Sequence, residues 1–382
     1  MPLFSFGSNS CGQLALGHVE DVSVPTKCLF YEYPDPTTQN DIIRIAAGGN
    51  HTFVLFGNGA VYVAGCNVDG RCGWQQQGNE DERLLQFRRV ILTTEDGKVY
   101  GTFKDVSATW EGSFLVAQSG DEDVVIALGT GIKGELGLGT TKTQASTPTV
   151  IPDFPPPGTH VVSIASGMGH TAAVLSNGEV YGWGGARKGQ LGESAKAGKI
   201  AWSPVKVAEV PFYAMTVTCG REFTVVSSDE EKGEYVVAGS SDDKWGILSG
   251  RPGSISSDGA RVLPAFTGIS AGWHAVYVHH RRQHDSDLSI TAWGRNDRGQ
   301  LPPADLSSAK ILAVGSEHAL ALLDEGTVVA FGWGEHGNCG TEVDAQGNVK
   351  GRYNRIEMPE IGHEHEVVGI GAGCATSWII TP

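Results

Sequence analysis

The chain has 382 residues, of which 28 are Lys or Arg and 43 are Asp or Glu, for a net charge of −15 at neutral pH. That acidic balance disfavours broad contact with a phosphate backbone, and no apolar run approaches the ~20 residues of a membrane span. Seven scattered cysteines with no C-x-x-C pair read as the reduced thiols of a cytoplasmic or nuclear protein, not as a disulfide frame.

In chain order, the first predicted element is FSFGSNSCGQLALG (4–17), a strand that runs into a glycine and then a polar turn closing on a second glycine. The phrase returns as VYVAGCNVDGRCG (61–73), VIALGTGIKGELGLG (125–139), VYGWGGARKGQLG (180–192), VVAGSSDDKWG (236–246), TAWGRNDRGQL (291–301) and FGWGEHGNCG (331–340). Between its copies lies a second phrase, two apolar strands joined by a small-residue turn. Its copies are IAAGGNHTFVL (45–55), VSATWEGSFLV (106–116), IASGMGHTAAVL (164–175), VTCGREFTVV (217–226), ISAGWHAVYV (269–278), AVGSEHALALL (313–323) and IGAGCATSWII (370–380). Aligned on His51, Gly112, His170, Phe223, His274, His318 and Thr376, the copies repeat every fifty-odd residues, the period of a multi-stranded propeller blade.

The chain opens on the first phrase and ends on the second, so six units are complete and a seventh is divided between the ends. A divided unit is expected when the first strands complete the last sheet, which leaves no open sheet edge. The expectation is an all-β, seven-bladed propeller forming one domain over 1–382, closed by pairing N- and C-terminal strands, with the split blade at about 1–17 and 366–382. The proline-bearing connectors, with Pro148, Pro204 and Pro252, read as a loop plus an edge strand. The segment 88–103 reads as an added hairpin around Asp96-Gly97. The stretches 228–233, 279–288 and 341–354 read as long polar loops, and the short step from Leu301 to Ile311 as a blade with a reduced outer strand.

Catalytic chemistry is not visible. Gly129, Gly131 and Gly134 match G-x-G-x-x-G but follow the repeat and lead into no helix, so a dinucleotide site is not expected. The loop histidines His279, His280 and His284, and the pair His363 and His365, lack a full ligand set, so no metal is assigned. The recurring His51, His170, His274 and His318 are expected to serve the blades by bonding turn backbone. No catalytic residue and no cofactor is expected.

What remains is recognition by a rigid surface. The small-residue turns would bring Asn50, Trp110, Glu111, Met168, Arg221, Glu222, Trp273 and Glu317 together near one end of the channel, varying on a constant frame as a grafted binding site should. Glu335 and His336 join the candidate partner-contact residues from the other turn set, which need not share that face.

The seven alternating phrases resemble the regulator-of-chromosome-condensation repeat family over essentially the whole chain, and its propeller has seven blades. FGSNSCGQLALGHVED (6–21), VGSEHALAL (314–322), GWGEHGNCG (332–340) and GAGCATSWII (371–380) are similar to its fungal α-tubulin-suppressor, or killer-toxin-insensitivity, branch. That resemblance implies a non-enzymatic protein in a heterodimer with a small Cys-rich, zinc-ribbon-like protein that holds zinc or iron. It also implies roles in diphthamide synthesis on elongation factor 2 and in Elongator-dependent modification of tRNA wobble uridines. In this reading an acidic ring covers part of the partner's metal site. The alternative is guanine-nucleotide exchange on a Ran-like small GTPase, with 88–103 as the wedge; a hydrolase or lyase in the channel is a third possibility.

Overall fold

The structure, a computed structural model, describes residues 2–32, 36–38, 41–74, 82–281, 288–306, 309–358 and 366–382. Seven antiparallel sheets are arranged as a propeller. Blade one comprises Ile42–Ala47, His51–Phe56, Val61–Cys66 and Arg83–Arg89, counted from the inner strand outward. Blades two to six begin at Asp105–Ala108, Val161–Ser166, Thr216–Cys219, Phe266–Ala271 and Ile311–Val314. Blade seven takes Gly369–Ala372 and Thr376–Ile380 from one end of the chain and Leu3–Gly7 and Val22–Lys27 from the other. The closing register pairs Leu3 with Ile380 through to Gly7 with Thr376. The N-terminal share of this blade therefore extends through Lys27, beyond the expected 17.

One column explains why the repeat was readable. The third strand of every blade carries a glycine at its last or next-to-last position, Gly7, Gly65, Gly129, Gly184, Gly239, Gly294 and Gly332, with φ between +95° and +116°. A Cβ there would stand 2.1–2.6 Å from the backbone oxygen of the residue just before the second strand. The N–H after each glycine donates to that same oxygen, as Cys66 does to Asn50 at 2.8 Å and Thr130 to Glu111 at 3.0 Å. Only glycine allows both the left-handed dihedral and the close approach. Gly129 thus serves a blade turn, not a dinucleotide.

The histidines serve the blades in a way the sequence did not suggest. His51, His170 and His318 open second strands, and each bridges to the next blade through Nε2. The partners are Ser113 Oγ at 2.8 Å, Thr224 Oγ1 at 3.0 Å and Ser377 Oγ at 2.9 Å, hydroxyls on the neighbouring second strand and not turn backbone. Burial holds the three imidazoles neutral, lowering their pKa to about 3, 4 and 4. His274 does not belong to this column: Ala275 is the residue opposite Gly294, and His274 stands one place earlier, in the turn.

Apolar side chains fill the spaces between blades; one cluster packs Phe114 and Leu136 of blade two on Ile164 and Trp183 of blade three. Pro148 and Pro204 lie on outer strands, where a missing N–H costs no ladder bond. Among the described residues blade five has three strands and no outer one. Residues 348–354, expected as part of the 341–354 loop, belong to the polar outer strand Asn348–Arg355 of blade six. His279 and His280 also leave the predicted loop and end the strand Ala275–Arg281; His284, His363 and His365 lie outside the described residues.

The predicted hairpin is present, pairing Leu92 with Tyr100 and Thr93 with Val99. It does not stand out as a wedge. Leu92 and Tyr100 are buried, Phe103 N–H donates to Gly59 O at 2.8 Å, and Glu95 near the tip meets Lys142 at 3.3 Å. Gly59 and Lys142 belong to opposite ends of the ring, so the hairpin lies along the outer rim between blades one and two.

Candidate protein-docking face

Each turn from inner to second strand sets one residue at the channel mouth: Gly49, Trp110, Met168, Arg221, Trp273, Ser316 and Cys374 in blade order. Backbone bonds lace neighbouring turns together. Gly49 N–H donates to Trp110 O and Trp110 N–H to Met168 O. Arg221 N–H donates to Trp273 O, Trp273 N–H to Ser316 O and Ser316 N–H to Gly373 O, all five at 2.7–3.1 Å. No such bond joins Met168 to Arg221 or Cys374 to Gly49. Behind the belt is a cavity of about 130 Å³ walled by all seven blades, Cys219 and Cys374 among its lining.

Trp110 and Trp273, from blades two and five, reach towards each other over this mouth with ring centroids 5.8 Å apart and a 47° tilt. The Arg221 guanidinium lies 5.5 Å from the Trp273 ring. Strands alternate in direction, so the turn after the third strand emerges at the same end as the turn after the first. The second turn set therefore shares this face, contrary to expectation. It adds Trp245, with Lys244 and Arg295 each 4.7 Å from its ring, and Trp333, with Arg298 at 5.2 Å. Sequence reasoning missed these five groups because it separated the turn sets; counting strand directions would have joined them.

All ten candidate residues stand at this end, in different roles. Trp110, Glu111, Arg221, Glu222 and Glu335 are exposed, and Asn50, Met168, Trp273 and His336 half-buried. Glu111 faces Arg71 at 3.6 Å, itself held by Asp69 at 2.6 Å. Glu335 accepts the Trp333 indole N–H at 3.1 Å, and His336 pairs with Asp21 at 2.8 Å, tying blade six to blade seven. Glu317 is no open contact residue: only 5% exposed, it receives His274 Nδ1 at 2.7 Å, Arg295 Nη1 at 3.2 Å and Gln300 Nε2 at 2.6 Å. Burial raises its pKa, but the His274 and Gln300 bonds and the charges of His274 and Arg295 outweigh that and hold the carboxyl below its usual range. Glu317 thereby fixes the turns that carry Trp273 and Arg295.

The expected acidic docking ring is not what this face presents. Its outward groups are of mixed sign, with Glu111, Glu222 and Glu335 among tryptophan, arginine and lysine; tryptophan and arginine are types enriched where proteins bind one another. Among the described residues no group of three His, Cys, Asp or Glu is placed to hold a metal ion, and no helix is long and apolar enough to cross a membrane.

A model of the RCC1-like domain matches residues 2–379. The chain belongs to the RCC1-like family. An RCC1 repeat-containing protein of Schizosaccharomyces pombe is 27% identical over 383 residues, covering 99% of this chain and 98% of that one. The secretion-regulating guanine nucleotide exchange factor of Bos taurus is 27% identical over 382 residues, covering 90% of this chain and 76% of its own. Among solved structures, Prp20p of Saccharomyces cerevisiae superposes with a TM-score of 0.72 at 20% identity, covering 100% of this chain and 91% of its own. Human WBSCR16 gives 0.71 at 18%, with full coverage of both. Both likenesses are of fold.

Proposed function

We propose that this RCC1-like propeller is a protein-docking regulator that acts through the mouth face and performs no bond chemistry of its own. The Trp110–Trp273 pair backed by Arg221 carries the reading, because two half-exposed indoles at a fixed separation supply contact area with little ordering cost. Its first partner class is a small GTPase of the Ran type, with guanine-nucleotide exchange as the effect. The likeness to the secretion-regulating exchange factor supports this. Release of a fluorescent guanine nucleotide from such a GTPase, accelerated by catalytic amounts of the propeller and lost in Trp110→Ala/Trp273→Ala, is the expected result. Unchanged release rates would remove it.

The second reading is the small Cys-rich zinc-ribbon-like metalloprotein, with the diphthamide and tRNA wobble-uridine roles that follow from it. One observation favours it over exchange: the 88–103 hairpin lies along the rim with its tip tied to Lys142, not free to enter a nucleotide site. Isothermal titration of the two purified proteins tests this, and no heat at micromolar concentrations would dismiss it.

A further inference from the structure

Beside the tryptophan pair the same face opens into a groove of about 580 Å³ between blades two, three and four. Five cationic side chains line it, Lys133, Arg187, Lys188, Lys199 and Arg221, against three carboxylates, Glu111, Glu135 and Glu222. In a chain of net charge −15 this is a local reversal of sign.

The groups already committed sharpen the imbalance. Lys188 is tied to Asp242 at 2.5 Å, Glu111 faces Arg71, and Glu135 accepts the Lys133 backbone N–H at 2.5 Å. Lys133, Arg187, Lys199 and Arg221 are exposed and have no carboxylate within ion-pair distance among the described residues, and two carboxylates without a cation partner, Glu135 and Glu222, oppose them. The groove also carries apolar surface. Ile132 is 66% exposed and Trp110 36%, both at its wall.

We propose that this groove receives a carboxylate-rich segment of a partner protein, with one aliphatic or aromatic side chain seated on Ile132 and Trp110. Four uncommitted cations around an apolar wall complement such a segment in charge and in shape. A long polyanion fits less well, because outside the groove it meets the acidic remainder of the chain. The inference rests on the docking reading for its face but on neither partner named for it.

The test is fluorescence anisotropy with a fluorescein-labelled peptide of Glu and Asp around a central Leu–Phe pair, added to the intact protein. Binding is expected that weakens about tenfold or more in Arg187→Glu/Lys199→Glu and with added salt, and changes little in Lys232→Glu, in an exposed turn at the opposite end of the ring. Both substituted groove residues are exposed, and an unchanged thermal midpoint confirms the fold. Equal affinity of the double variant, or equal binding of a neutral peptide around the same Leu–Phe pair, overturns the proposal. So does tighter binding of a single-stranded oligonucleotide of matched charge, which would make the groove a nucleic-acid site. The probe contains no GTPase and no metalloprotein, so peptide binding without response to either would sink the proposed function alone. A partner that binds while the peptide does not would sink this inference alone.

Discussion

The indoles of Trp110 and Trp273 stand 5.8 Å apart although they come from blades two and five, separated around the ring by two intervening blades. Their contact spans the channel mouth. Removing either leaves its blade intact but breaks the bridge. Trp273→Ala is expected to weaken partner binding by about 2 kcal/mol, the scale of an interface anchor. The thermal midpoint should move by no more than a few degrees. Titration calorimetry beside a melting curve checks both parts.

Glu317 is expected to behave in the opposite way. In Glu317→Gln the new amide presents two N–H donors where His274, Arg295 and Gln300 already donate, so Arg295 loses its buried counter-charge. Asp297 still pairs with Arg295 at 2.6 and 2.9 Å, so the loss is that of charge-assisted hydrogen bonds, roughly 2 kcal/mol. Denaturant unfolding should show that loss, with binding impaired as a secondary effect because the turns of Trp273 and Arg295 loosen.

The three inter-blade histidines set an acid limit. Their folded pKa values, about 3 to 4, lie below the ordinary 6.5. The unfolded chain therefore binds more protons than the folded one between those values. Stability is full above about pH 6.5 and falls as the pH drops towards 4, by about 3 kcal/mol per histidine. Melting curves from pH 7.5 down to 4.5 should show the decline, and His170→Gln should flatten its slope while lowering stability at neutral pH.

The glycine column gives a graded test. Gly129→Ala places a methyl 2.1 Å from Glu111 O at φ +95°, whereas Gly101→Ala meets nothing within 4 Å and carries no positive φ. The first should cost at least about 2 kcal/mol and the second close to nothing, by chemical denaturation.

Much of the fold was readable because its repeat is enforced by steric exclusion: a backbone carbonyl occupies the space of a Cβ at seven equivalent positions. What depended on counting was less secure. His274 resembles His51 in type, but three residues from the turn glycine lead from Gly48 to His51 and from Gly272 to Ala275. The docking face was half visible. Trp110 and Trp273 stood out by varying on a constant frame, whereas Trp245, Trp333 and the cations of the groove became neighbours only once strand direction placed both turn sets at one end. Burial of Glu317 was hidden, because its three partners come from blade five, up to 43 residues away.

The unlaced steps in the mouth belt divide it into two arcs, blades one to three and four to seven, meeting at two seams. Deuterium uptake should begin at Met168 and Cys374, whose amides find no carbonyl across those seams. One seam runs between Met168 and Arg221, both in the wall of the cationic groove. A guest seated there would stitch the arcs together, so occupancy at one edge of the ring would stiffen the whole opening.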